Sequence, residues 1–303
     1  MAERGLQQNT GLPINSVVDR AEIYKVELNL TEKNDVRVIA YDYVTENSTI
    51  MDVGCACGDF GELLKHKKCN VYGMEYDAGS VDIASNTGAY KKIHQVDLNK
   101  FRVENYPQYL HFFDSIAFLD VLEHTLEPEK ILFYFSSLLK DDGHFIISLP
   151  NISFCDIKMD ILNNDFTYTD TGILDRTHIK FYTYKSISEM MTRLNVEISE
   201  CKPKVAYFSR SCTNLPSSII RYIKKDPHSF VYQYVLKAKA STKNKTELKI
   251  VNNRMANLEW NSVSVELNKL KRRRWVQTLI PLGSRRNKWA RKIKKIYMGR
   301  KIK

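Results

Sequence analysis

Short apolar runs alternate along this chain with segments whose apolar residues recur every three or four positions, the signatures of strands and helices. Residues 1–34 read as a lead-in, in which "IYKVELNL" alternates like a strand, and Thr31 is placed to cap a helix over Lys33–Val44. The order then runs strand "STIMDVG", helix Asp59–Lys65, strand "NVYGMEY", helix Gly79–Ser85 and strand "KKIHQVD". Strand "FDSIAFLD", helix Glu127–Leu139 and strand "GHFIISLP", cut off by Pro150, follow. This alternation predicts a parallel sheet with helices on both faces, a doubly wound α/β domain. Asn151–Thr183 has no clear period and is long for a plain connection, which marks it as a functional loop. A helix at Ser186–Leu194, a strand at "VEISECK" and a last strand in "SFVYQYVLKAK" complete a domain over residues 35–240, ahead of a polar break at Ser241–Lys245.

The candidate chemistry collects where strands end. Asp52 closes the first strand and leads into "GCACG", where Gly54, Cys55, Ala56 and Gly58 bring the backbone close to a ligand that a Cβ would hold off. Glu75 ends the next strand, followed by Tyr76, and a carboxylate there can accept from both hydroxyls of a ribose. Asp97 and Leu98 close the third strand, where an acid can accept from an adenine amino group. Asp120 and Val121 close the fourth, with Glu123 and His124 beyond. Open α/β sheets bind ligands at such carboxyl ends. The C-x-C of Cys55 and Cys57, with a distant Cys69, falls short of the four ligands of a structural zinc site, so no metal ligand is assigned.

With these pieces in place, the chain from Asp35 to Ala240 resembles the class I S-adenosylmethionine-dependent methyltransferases. "DVGCACG" is similar to their first motif, "YGMEYD" to the ribose-binding acid, "VDL" to the adenine contact, "FDSIAFLDVLEH" to the segment after strand four and "LLKDDGHFIISLPN" to the fifth-strand segment. "FTYTDTGILDRTHIKFYT" is similar to a stretch in the branch that accompanies surface-polysaccharide pathways. The resemblance implies a Rossmann-like seven-stranded sheet with an antiparallel last strand at Phe230–Lys237. It implies S-adenosyl-L-methionine as cofactor, with the glycine loop facing its methionine end and ribose. Ala56 stands where the family carries a second glycine, an exchange that is tolerable if its φ stays negative. Methyl transfer to a hydroxyl benefits from a general base, and His178 ranks slightly ahead of His124 because it lies in the long loop, with Asp175 orienting one of them or binding the acceptor.

Composition adds one asymmetry. Of 303 residues, 43% are apolar, enough for a real core, and no run is long enough to span a bilayer. Six cysteines and the absence of a secretory leader predict reduced thiols and a cytoplasmic setting. Leu267–Lys303 holds 15 Lys/Arg and no acid, so subtracting these from the net charge of +11 leaves −4 on the remainder. Residues 241–303 thus form a basic extension with helical stripes, Leu248, Val251, Met255 and Leu258 first, then Trp289, Ile293, Ile296 and Tyr297 after a capping Ser284. Lys/Arg interleaved with aromatics over residues 269–303 suit an anionic bilayer surface and equally phosphates and bases, and the resemblance of "LIPLGSRRNKWARK" to tails of cell-surface glycan enzymes is what favours the membrane over nucleic acid. The reading that results is O-methylation of a saccharide or lipid-linked saccharide at the cytoplasmic membrane face. The alternatives are an RNA methyltransferase gripping its substrate with the tail, a small-molecule methyltransferase acting on a quinone or acyl precursor, and a cofactor-binding scaffold.

Overall fold

A computed structural model of the chain describes residues 30–207 and 215–240. The strand-like lead-in, the basic extension and the membrane or nucleic-acid contact expected of it lie outside the described residues. Asp35 opens α1 (Val36–Tyr43), its carboxylate accepting the Arg37 N–H at 2.8 Å. The cap therefore falls later than the predicted Thr31, because Asp35 is the last residue of extended backbone before the apolar stripe begins. β1 (Thr49–Val53), α2 (Asp59–Leu64), β2 (Asn70–Glu75), α3 (Ala78–Asn86), β3 (Tyr90–Gln95), β4 (Phe113–Leu119) and α4 (Pro128–Ser136) follow in order. Then come β5 (Leu139–Pro150), α5 (Cys155–Leu162), α6 (Tyr184–Arg193), β6 (Val196–Val205), α7 (Ser217–Ile223) and β7 (Val231–Ala240).

The strands form one seven-stranded sheet in the order β3-β2-β1-β4-β5-β7-β6. β1 to β5 run parallel, while β7 is antiparallel to both β5 and β6, as the resemblance implied. The chain winds outward from β1 to β3 and then returns to place β4 on the other side of β1. That reversal opens a crevice at the carboxyl ends of β1 and β4.

Strand alternation sends side chains to two apolar layers. Ile50, Val71, Ala117, Ile146 and Val235 pack under α1 and α2, with Phe60, Leu63 and Leu64. Met51, Val53, Ile116, Phe118, Phe145 and Ile147 face α4 and α6, meeting Leu132, Phe135, Ile187 and Met190. The central strands are buried on both faces, which is why they read as near-continuous apolar runs.

Two boundaries differ from the sequence expectation. α4 stops at Ser136, and Leu139 already pairs with Phe113 in β5, because Phe112 and Phe113 donate to the Leu138 carbonyl and pull that segment into the sheet. The stretch Asn151–Thr183 is not wholly aperiodic loop, since α5 lies inside it. Its apolar residues Cys155, Ile157, Met159 and Ile161 alternate, a period of two that hides the helix. The helix forms because α7 and the 173–181 segment supply a small third core, and Lys158 pairs with Asp226 at 2.6 Å. Among the described residues no helix is long and apolar enough to cross a membrane.

Candidate active site

The loop after β1 is stitched to the end of β2. Gly54 and Cys55 both donate backbone N–H groups to the Met74 carbonyl, at 2.7 and 3.2 Å. Gly54 takes φ +71°, and a Cβ there would stand 2.5 Å from Val121 Cγ2, so glycine alone lets the β1 and β4 ends meet. Ala56 has φ +44°, which corrects the expectation of a negative angle. The left-handed turn is imposed on it, since its N–H is aimed at Glu75 Oε2, 2.8 Å away.

Glu75 does more than end a strand. Oε1 accepts the Tyr76 and Asp77 N–H groups at 2.8 and 3.0 Å, while Oε2 holds Ala56, so one carboxylate fixes two loops. A carboxylate takes about four bonds and three are used, which leaves capacity for one more donor. Tyr76 beside it is exposed. Asp97 caps the turn Leu98–Lys100 through the Asn99 N–H and pairs with Lys100 at 3.2 Å, and Leu98 packs on the larger core. Asp52 is buried, and its Oδ2 accepts the Tyr90 hydroxyl at 2.7 Å. Burial pushes its pKa up to about 7, with the Tyr90 bond pulling it down and the Glu75 charge pushing it up. Burial, then Asp52 and Glu75, also push the Cys55 thiol upward, which favours its protonated, apolar form.

The β4 end is equally fixed. Asp120 sits at φ +60°; its N–H donates to Ser148 Oγ at 2.9 Å, and its Oδ1 accepts from Ser148 Oγ at 2.5 Å and from Gln233 Nε2 on β7. His124 Nδ1 lies 3.2 Å from the Thr177 carbonyl and 3.0 Å from Thr177 Oγ1. A carbonyl can only accept, so Nδ1 carries the proton and Nε2 keeps its lone pair. Thr177 Oγ1 in turn donates to Asp175 Oδ1 at 2.6 Å. Burial, then His178, hold the His124 pKa below its ordinary value.

His178 is buried, with Nδ1 on the Ile173 carbonyl at 2.9 Å and Nε2 4.0 Å from Glu123 Oε1. Glu123 is wholly buried, and neither carboxylate oxygen has a hydrogen-bond partner. Burial above all, then the Asp120 charge, push its pKa well up. The two imidazoles stand edge to face at 4.7 Å. Glu123, His124 and His178 thus bring one donor atom each within 4.8 Å of one another, a grouping that could hold a metal ion although the sequence assigned no metal ligand. The structure brings His124, His178 and Asp175 together with Glu123, and adds Thr177, Ser148, Gln233 and Tyr90. Thr177 and Ser148 lie inside the motif-like stretches without having been singled out, while Gln233 and Tyr90 carry no motif signal.

These parts fit a nucleoside cofactor with a charged amino-acid end. A cradle of left-handed backbone, an acid at β2, a second acid just past β3 and the β4 loop all stand at the carboxyl ends of adjacent strands. A family model for a methyltransferase domain matches residues 33–200, more than half of the chain. The chain belongs to this family. As a class I methyltransferase it uses S-adenosylmethionine.

Relatives of this methyltransferase include the mitochondrial ubiquinone biosynthesis O-methyltransferase of Dictyostelium discoideum, 22% identical over 203 residues, covering 62% of this chain and 60% of the relative. The ubiquinone biosynthesis O-methyltransferase of Marinobacter nauticus is 24% identical over 155 residues, covering 45% and 65%. The methyltransferase thus spans less than two thirds of the length of these curated relatives. A solved S-adenosylmethionine-dependent methyltransferase from Archaeoglobus fulgidus has a TM-score of 0.49 and 16% identity, covering 69% of this chain and 98% of that one. The relatives carry the name of a small-molecule enzyme, where the sequence pointed to a saccharide acceptor.

Proposed function

We propose that this methyltransferase O-methylates a small, largely apolar acceptor of the quinone-precursor class, with His124 taking the hydroxyl proton. The observation that carries this is an aromatic cluster leading to the histidine pair. Phe166, Tyr168 and Phe181 pack against one another with ring centroids 5.6–6.4 Å apart, and Phe181 lies 6.5 Å from His178. Phe166, Tyr168 and the neighbouring Ile179 are exposed, an apolar face suited to a ring and its hydrocarbon substituent more than to a saccharide. The names of the relatives support the same acceptor class.

When bound, the cofactor supplies the electrophilic methyl group. The chain's own residues do the rest. The Gly54–Gly58 loop and Glu75 orient the nucleoside end, and Gly54 against Val121 sets the distance between the two halves of the crevice. Thr177 and Asp175 hold the His124 ring so that the Nε2 lone pair is available, and a base so placed contributes about 10²–10⁴ in rate. Alignment of the reacting atoms contributes about 7–11 kcal/mol more.

The test is transfer of labelled methyl by the full chain to a short-chain prenylated catechol, to lipid-linked saccharide and to RNA. Label in the catechol is the expected result. Label confined to saccharide would overturn the acceptor assignment and restore the surface-polysaccharide reading.

A further inference from the structure

Below the glycine loop, an aromatic ring occupies a slot that three glycines leave. Tyr90 begins β3, and its side chain crosses β2 at Gly73, where a Cβ would stand 3.2 Å from Tyr90 Cδ1. The ring continues under Gly58, where a Cβ would stand 3.1 Å from Cε2, and under Gly61 on α2, where a Cβ would stand 2.3 Å from Cζ. Its hydroxyl ends 2.7 Å from Asp52 Oδ2. One side chain from the third strand thus reaches the acid that closes the first.

We propose that Tyr90 is the positioning residue for Asp52 in cofactor binding: its ring fills the slot left by Gly58, Gly61 and Gly73, and its hydroxyl holds the carboxylate in one orientation under the loop. The proposal takes Asp52, the buried acid that leads into the Gly54–Gly58 loop, as the group that answers the ammonium at the cofactor's methionine end, and so rests on the proposed cofactor site. An ammonium needs that carboxylate ionised, and burial works against ionisation. The groups facing it are Tyr90 from β3, Glu75 from β2, Cys55 from the loop, Asp59 from α2 and Arg37 from α1. Glu75 and Asp59 push toward the protonated form, while Tyr90 and Arg37 favour the carboxylate, Tyr90 the more strongly of the two. Because Asp52 titrates higher in the folded chain than in the unfolded one, its burial costs the free protein stability as pH rises from about 4 toward 7. Cofactor binding then displaces the proton.

Calorimetry of S-adenosylhomocysteine binding to the full chain, in buffers of two ionisation enthalpies between pH 6 and 9, tests this. Asp52→Asn sets the baseline, with weaker binding and no proton release from this site. At pH 7 the wild type should release about half a proton more than that baseline, since Asp52 titrates at about 7. Tyr90→Phe keeps the ring and removes the bond, which moves the midpoint up by roughly one pH unit. It should therefore release nearly one proton at pH 7 and bind about fivefold more weakly, with the difference vanishing toward pH 9. Gly61→Ala, whose Cβ would displace the ring, should reproduce this pattern in a second fold context. Wild-type affinity and proton release in Tyr90→Phe would overturn the role of Tyr90. Wild-type binding by Asp52→Asn would instead overturn the reading of Asp52.

Discussion

Glu75→Gln isolates the clamp that joins the glycine loop to β2. The carboxylate accepts three backbone N–H groups, Ala56 on one oxygen and Tyr76 and Asp77 on the other. A glutamine has a single acceptor oxygen, so its amide nitrogen must face one set of donors. The less costly rotamer keeps the oxygen on the Tyr76–Asp77 pair and turns the NH₂ toward Ala56, which frees the loop. Losing one bond to a charged acceptor costs about 1.5–3 kcal/mol, and partial exposure at Glu75 favours the lower end. If that loss falls on the cofactor-competent loop, the dissociation constant for S-adenosylhomocysteine rises about tenfold or more. Titration calorimetry measures it directly, and a thermal melt separates the local effect from global loss, since each kcal/mol of stability moves the midpoint about 2–4 °C in a domain of this size. Glu75→Gln binding within twofold of wild type would refute the reasoning, because the clamp would then have no bearing on the bound state.

Other substitutions probe separate parts of the crevice. Ala56→Gly relieves a left-handed backbone that costs alanine about 1–2 kcal/mol, offset by about 0.5–1 kcal/mol of extra chain entropy, so the melting midpoint should rise by a few degrees; a fall would argue against the φ of +44°. Ser148→Ala removes the hydroxyl that accepts from the Asp120 N–H and donates to its Oδ1, and with Asp120 itself exposed it should lower stability by about 0.5–1.5 kcal/mol, read from urea unfolding. His124→Gln should lower kcat by about 10²–10⁴ with S-adenosylhomocysteine affinity unchanged within threefold, and an undiminished kcat would remove His124 as base.

The sheet was legible in the sequence because its central strands are buried on both faces and its helices are punctuated by Gly, Pro and Asp. The chain order of Asp52, Glu75, Asp97 and Asp120 was legible for the same reason, since each closes a recognisable strand. What escaped was non-local. Tyr90 and Asp52 are 38 residues apart and Gln233 and Asp120 are 113 apart, and no local pattern marks either pair. α5 escaped because its alternating residues satisfy a strand template while its packing partners come from the aperiodic 173–181 segment and from the distant α7. The angle at Ala56 escaped because it is set by a hydrogen bond to Glu75, and residue type alone argues the other way.

The position of β7 has a consequence for biosynthesis. Among the described residues it is the last strand made, yet it inserts between β5 and β6, and its Gln233 helps hold Asp120. Until Ala240 has emerged, Phe145–Leu149 present an unpaired apolar edge, and the acceptor side lacks one of the bonds that shape it. A nascent or prematurely terminated chain would therefore contain β1 to β4 and their loops while offering a sticky sheet edge and an Asp120 short of one partner. Competence for methyl transfer and protection from aggregation are acquired together, at the closing step of folding.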